Sequence, residues 1–191
     1  PACFASLVGD DNNGRWLIAP AGEVRSAQRR YRDDTLVLET IYETAEGRAA
    51  VVDFMPHDGE GDETRLVRIV RGLSGEVEMR AEIVLRFDYG SLVPWVRHMD
   101  DGLRADAGPD ALTIRTPVQF KGEHFRSEAT FSIAEGQITP FVLTAFRSHL
   151  PEPDPIDPTW ALDATVSWWR DWAAKCTYEG PWRDAVVRSL I

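Results

Sequence analysis

A carboxylate, a phenol and an indole gather near the middle of this chain. Asp88 and Tyr89 sit in Arg86-Phe87-Asp88-Tyr89-Gly90, and Trp95 follows directly after Pro94. Rings stack on aromatic faces and carboxylates accept from hydroxyls, so the trio suits a polar, ring-shaped ligand. The same residues also suit a sheet corner with a structural tyrosine and a packed tryptophan. Elsewhere the chemistry-bearing residues are dispersed. His57, His98, His124 and His149 stand at no metal-ligand or catalytic spacing and read as structural or surface residues. Ser6, Ser91 and Ser127 lack the flanking glycines of a nucleophile elbow, and no glycine-rich phosphate loop occurs. Asp58, Glu60, Asp62 and Glu63 surround two glycines, as oxygen ligands wrapping calcium would. Their spacing departs from an EF-hand loop, so a solvated loop is expected, with no metal and no cofactor. Many carboxylates are present, but sequence alone cannot pair two of them at glycosidase distance.

These residues need a framework. Val77, Met79, Ala81, Ile83, Leu85 and Phe87 alternate with Glu78, Arg80, Glu82, Val84 and Arg86. This period of two predicts a strand over 77–87, apolar inward and charged outward, in a large sheet with one solvated face. Asp88 falls in phase with the charged face. If the pleat continued, Tyr89 would point inward before Gly90 and Pro94 break the ladder. Further strands are expected over 15–18, 35–44, 48–55, 65–73, 103–107 and 111–116, with a solvated one within 22–32. Ala45-Glu46-Gly47 reads as a hairpin loop and Ser74-Gly75 as a turn. Segments 125–134 and 137–149 read as a last hairpin across Glu135-Gly136. With about a dozen strands and no helix before residue 150, the fold class is mainly β: two large packed antiparallel sheets.

Composition narrows the function. Lys and Arg number 21 against 31 Asp and Glu, a net charge of −10. Without a basic cluster, nucleic acid and anionic membranes are poor partners. No apolar run approaches the roughly 18 residues of a membrane span. Cys3 and Cys176 match no zinc or redox pattern and read as two buried thiols in a reduced, cytoplasmic setting. No signal peptide is visible, although a segment before Pro1 could have carried one.

The character of the chain changes at Pro151, where Pro151, Pro153, Pro155 and Pro158 make a stiff, extended linker. Asp157 suits an N-cap with Pro158 at the first helical position, and the helix should run to about Lys175. Leu162, Val166, Trp169 and Ala173 form its apolar stripe, widened by Ala161, Ala164, Trp168 and Trp172. Three tryptophans on one helix predict heavy burial. Gly180-Pro181 opens a second helix with Trp182, Val186 and Leu190 in phase, a pattern still running at Ile191. Continuation of the chain beyond that point is the expectation.

Several stretches together resemble a known family. They are Pro1-Ala2-Cys3-Phe4-Ala5-Ser6-Leu7-Val8-Gly9, Gly14-Arg15-Trp16, Val52-Asp53-Phe54-Met55-Pro56, Arg86-Phe87-Asp88-Tyr89-Gly90, Tyr178-Glu179-Gly180-Pro181-Trp182-Arg183 and Val187-Arg188-Ser189-Leu190. In this order they resemble the amino-terminal part of bacterial glycoside hydrolase family 15 proteins, the glucoamylase-like and trehalase-like enzymes. The resemblance implies a large antiparallel β-sandwich (a supersandwich), then linker helices, then an (α/α)6 barrel. It implies a sandwich over 1–150, a linker and Trp-rich helix over 151–179, and the start of the barrel over 180–191. It further implies inverting hydrolysis of α-glucosidic bonds by two barrel glutamates. No glutamate here matches either one, so no catalytic residue is carried over. Three roles for the sandwich follow. Asp88, Tyr89 and Trp95 could shape a subsite at the barrel mouth. Trp168, Trp169, Trp172 and Trp182 could dock a structural scaffold onto the barrel. The sandwich could also be an independent sugar-binding module.

Overall fold

A computed structural model describes residues 3–57 and 63–191. Among these the chain forms eleven antiparallel strands followed by two helices. In chain order the strands are β1 (Arg15–Pro20), β2 (Ser26–Tyr31), β3 (Leu38–Glu43), β4 (Gly47–Phe54), β5 (Thr64–Val84), β6 (Trp95–Met99), β7 (Gly102–Ala107), β8 (Asp110–Arg115), β9 (Lys121–Glu123), β10 (Arg126–Ala134) and β11 (Ile138–Arg147). The helices are α1 (Pro158–Ala173) and α2 (Arg183–Leu190). The mainly β, antiparallel class expected from the alternation is the one observed. Two solvated strands, β6 and β9, were not foreseen, because they carry almost no apolar alternation.

The organising element is β5, a single strand of 21 residues. Its first part lies between β4 and β11 in a large sheet ordered β2-β3-β4-β5-β11-β8-β7-β6. Its second part lies between β1 and β10 in a smaller sheet, with β9 on the far side of β10. Ser74-Gly75 is therefore no turn between two strands. It is a bend at which one strand leaves one sheet for the other, with Gly75 at φ 64°. The expected hairpin of β10 with β11 is also absent. These strands flank different halves of β5, and their connection crosses between the sheets. That crossover is fastened to the bend. Gly72 N donates to Gln137 O at 3.1 Å, Gly136 N to Gly72 O at 3.1 Å, and Glu135 N to Gly75 O at 2.9 Å. A methyl group on Gly72 would lie 1.9 Å from the Ala134 carbonyl oxygen. Only glycine lets the two backbones meet there.

The two sheets share one apolar core, which is the sandwich expected. Val77, Met79 and Ile83 from the smaller sheet meet Val51, Val70, Leu103, Ile114 and Phe141 from the larger. The opposite face of the larger sheet presents Val52, Phe54, Val67, Ile69 and Val142, covered by Ala161 and Leu162 of α1. Central strands of that sheet are thus buried on both faces. This explains the uninterrupted apolar run Ala49-Ala50-Val51-Val52 in β4.

The proline-rich segment is anchored by Glu152, which accepts from Arg104 at 3.4 Å and forms a short ion pair with Arg115. Helix α1 starts as its sequence predicts. The Asp157 carboxylate accepts from Thr159 N at 2.8 Å and Trp160 N at 3.0 Å, with Pro158 at the first helical position. It ends at Ala173, two residues short of Lys175. Helix α2 begins at Arg183 and buries Val187, not the expected Trp182, Val186 and Leu190 phase. Its contact with the sandwich is largely polar. Arg188 donates to Thr35 O at 3.0 Å and Asp33 O at 2.9 Å, and its guanidinium lies 4.6 Å from the Tyr31 ring centre. Among the described residues, no helix is long and apolar enough to cross a membrane.

Candidate functional site

The inward alternation of β5 continues one step past the strand, with Leu85 and Phe87 buried. The backbone then leaves the pleat. Asp88 and Tyr89 adopt left-handed φ values of 51° and 56°, a conformation that costs a non-glycine residue about 1–2 kcal/mol. Phe87 and Leu92 exchange backbone hydrogen bonds of 2.8 and 3.0 Å across the loop. The Ser91 hydroxyl donates within reach of Asp88 O at 2.9 Å and its carboxylate at 3.1 Å. Tyr89 therefore does not turn inward. It is 71% exposed, because two left-handed residues cancel the two-residue alternation.

Trp95, at the head of β6, is 79% exposed and stands on the wall of a cavity of about 360 Å³. Facing positions come from the β9–β10 turn, where His124 and Phe125 have φ values of 50° and 61°. That second left-handed pair presents Phe125 at 78% exposure. Ile83, Leu85 and Arg86 line the same cavity from β5 and its extension, with His98, Glu123 and Arg126 beside them. Asp88 and Tyr89 lie outside this lining. Of the expected trio, Trp95 lines the cavity, while Asp88 and Tyr89 are exposed on the preceding turn and are not among its lining residues.

Arg86 is the electrostatic centre of the cleft. One guanidinium nitrogen donates to Leu85 O at 2.7 Å and Phe125 O at 3.4 Å. Among the described residues it has no carboxylate partner. Burial, and then the neighbouring Arg126 charge, hold its pKa below the ordinary arginine value. Arg126 differs in having company: it donates to Asn12 Oδ1 at 3.1 Å and lies 4.0 Å from Glu82. Glu82 corrects the alternation in turn. It lies on the outward face of β5 yet is 6% exposed, flanked by Arg126 and by Arg15 at 3.7 Å. Phe125, Arg86 and His98 were not selected from sequence as a group. The available signal was the run Gly122-Glu123-His124-Phe125, which has no strand alternation yet carries a large aromatic.

The tryptophans form a second cluster. The Trp168 ring lies 3.8 Å from His57, 4.7 Å edge-on from Trp169, and 5.8 Å from a parallel Trp172. Trp172 Nε1 donates to Leu190 O at 3.3 Å, tying α1 to α2. The predicted burial of this stripe is only partly realised. Ala161, Leu162, Thr165 and Ala173 are the buried residues of α1. Trp168 and Trp169 are half-buried, and Trp172 and Trp182 are exposed. Small residues face the sheet because a helix packs closest where its side chains are short. Cys3 is buried, as expected, but Cys176 is only half-buried; neither forms a disulfide. The acidic loop considered for calcium falls mostly in residues 58–62, outside the described residues. Among the described residues, no group of three or more His, Cys, Asp or Glu is placed to hold a metal ion.

Fold and site define the class first: an antiparallel sandwich threaded by one strand, with an aromatic-walled cleft on one side and a tryptophan-bearing helix on the other. Residues 1–146 match the family described as trehalase-like, N-terminal, and the chain belongs to that family. The trehalase of Thermoplasma acidophilum is 24% identical over all of this chain and 34% of its own length. The trehalase of Mycobacterium tuberculosis is 27% identical over all of this chain and 32% of its own length. Trehalase 1 of Sulfolobus acidocaldarius is 31% identical over 104 residues, covering 54% of this chain and 17% of the relative. The chain thus spans about a third of the trehalases that match it end to end.

Proposed function

We propose that this chain is the non-catalytic, amino-terminal sandwich of a family 15-type enzyme that hydrolyses α-glucosidic bonds with inversion, trehalose being the first substrate to test. The observation that carries the proposal is the end-to-end match to trehalases of about three times this length. Residues 1–150 form the sandwich, 151–179 the linker and Trp-rich helix, and 180–191 lead into the catalytic barrel. The acid and base glutamates belong to that barrel. The sandwich acts as its support. Trp168, Trp169, Trp172 and Trp182 retain accessible ring surface on the helical side, and covering it stabilises the assembly by roughly 25 cal/mol per Å². Asp88 and Tyr89, exposed on their loop, reach toward substrate from the sandwich side. The free thiols fit a cytoplasmic protein.

The test is a chain extended through the barrel, assayed for glucose release from trehalose, maltose and isomaltose. Turnover of trehalose, releasing together one β-glucose from the inverted anomeric carbon and one α-glucose, is expected; no turnover of any sugar overturns the reading. Trp172→Ala and Trp182→Ala should lower the melting temperature of the extended protein more than that of the 191-residue chain. Equal effects in both would remove the support role.

A further inference from the structure

The cleft beside Trp95 has a chemistry that the support role leaves unused. Two large aromatics, Trp95 and Phe125, are each almost four-fifths exposed and line the same cavity. Exposed tryptophan and phenylalanine forgo the burial that normally stabilises them. Phe125 is moreover presented by two consecutive left-handed residues, His124 and Phe125. Such backbone is retained where the surroundings impose it, and it clusters at ligand sites. Beneath these rings the apolar side chains of Ile83 and Leu85 line the cavity together with Arg86.

The polar groups are mixed in kind. Arg86 spends one nitrogen on two carbonyls, which leaves its remaining N–H groups without a protein acceptor among the described residues. His98 contributes an imidazole and Glu123 a carboxylate to the same lining. Two carboxylates, Glu123 of the lining and Glu82 at 4.0 Å from Arg126, stand against the two guanidinium groups, and a purely apolar ligand would strand the donors of Arg86. A sugar ring matches both sets. Its axial C–H face stacks on aromatics, and each hydroxyl both donates and accepts. The cavity, about 360 Å³, lies within the roughly 300–1,000 Å³ of small-molecule pockets.

We infer that the Trp95–Phe125 cleft is a binding site for a neutral α-glucoside, with the two rings as stacking walls and Arg86 and Glu123 as hydroxyl partners. The choice of glucoside rests on the function proposed above; the stacking and hydrogen-bonding roles rest on the cleft itself. The 191-residue chain is titrated with trehalose and with maltotriose by isothermal calorimetry. Saturable binding of one of them is expected. Trp95→Ala and Phe125→Ala should each weaken it by about tenfold, the loss of one stacking contact, with melting temperatures unchanged because both rings are exposed. Trp160→Ala, an exposed tryptophan on α1 outside the cleft, should bind as the unaltered chain does. Absence of saturable binding for both sugars overturns the inference, as does binding indifferent to both wall substitutions. Glucose release by the extended protein without binding here overturns the cleft alone. Binding here without glucose release keeps the cleft and overturns the hydrolase reading.

Discussion

The bend in β5 can be broken by one methyl group. At Gly72 the backbone is not left-handed, so alanine meets no intrinsic penalty there. The added carbon would lie 1.9 Å from the Ala134 carbonyl oxygen and 2.5 Å from its carbonyl carbon. Backbone cannot rotate away as a flexible side chain can, so the β10–β11 crossover must move. Two hydrogen bonds pin that crossover to Gly72, each at 3.1 Å, and each contributes about 1 kcal/mol. Overpacking adds about 1–3 kcal/mol. Gly72→Ala should therefore cost roughly 3–5 kcal/mol. Gly136→Ala is the control in the same crossover. Its φ of 79° is left-handed, but nothing lies within 4 Å of an added methyl. It should cost only the backbone penalty of about 1–2 kcal/mol. Urea denaturation of both variants and the parent chain, with slopes compared, decides the matter. Equal losses, or a Gly72→Ala loss below about 1 kcal/mol, would refute the reasoning that β5 is held at this crossing.

Two further outcomes follow from ionisable groups. Burial alone would raise the Glu39 pKa; hydrogen bonds from Arg30 and Arg32, both at 3.0 Å, outweigh it and hold the carboxyl below the ordinary value of 4.5. A lowered folded pKa gives stability that is present above the unfolded value and lost as pH falls through the folded one. Glu39→Gln should thus be less stable than the parent at neutral pH, with the gap closing below about pH 4.5. A gap constant with pH in urea titrations would refute this. Burial raises the Cys3 thiol pKa, while Cys176 is partly accessible. Iodoacetamide should label Cys176 in the folded chain and reach Cys3 only on unfolding; equal labelling rates by mass spectrometry would contradict it.

Much of this architecture is legible in local pattern. The alternation from Val77 to Phe87 names its inward side chains correctly, since Val77, Met79, Ala81, Ile83, Leu85 and Phe87 are all buried. Asp157 and Pro158 announce the start of α1 because capping involves only neighbouring residues. The order of short motifs led to the trehalase-like, amino-terminal family. The pattern is weakest where pairing partners must be chosen. Glu135-Gly136 has the composition of a hairpin turn, yet it joins strands in different sheets, because β5 bends and offers each strand a different half.

The candidate site shows the same division. Trp95 could be named from sequence by its type and its place after a strand end. Its companions could not. Phe125 reaches the cleft only because β9 and β10 fold back beside β5, bringing its carbonyl to an arginine 39 residues away. Tyr89 would point inward only if the pleat continued; it stands outside, because a left-handed turn is a property of the whole loop. Glu82 was expected in solvent and is buried between arginines from β1 and β10. By itself the sequence determined which side chains of the 77–87 stretch turn inward and where α1 begins, since sterics and capping act within a few residues. Only the tertiary structure decided which strands meet and which distant side chains share a cavity. Those outcomes depend on chain closure over tens of residues, which local periodicity does not encode.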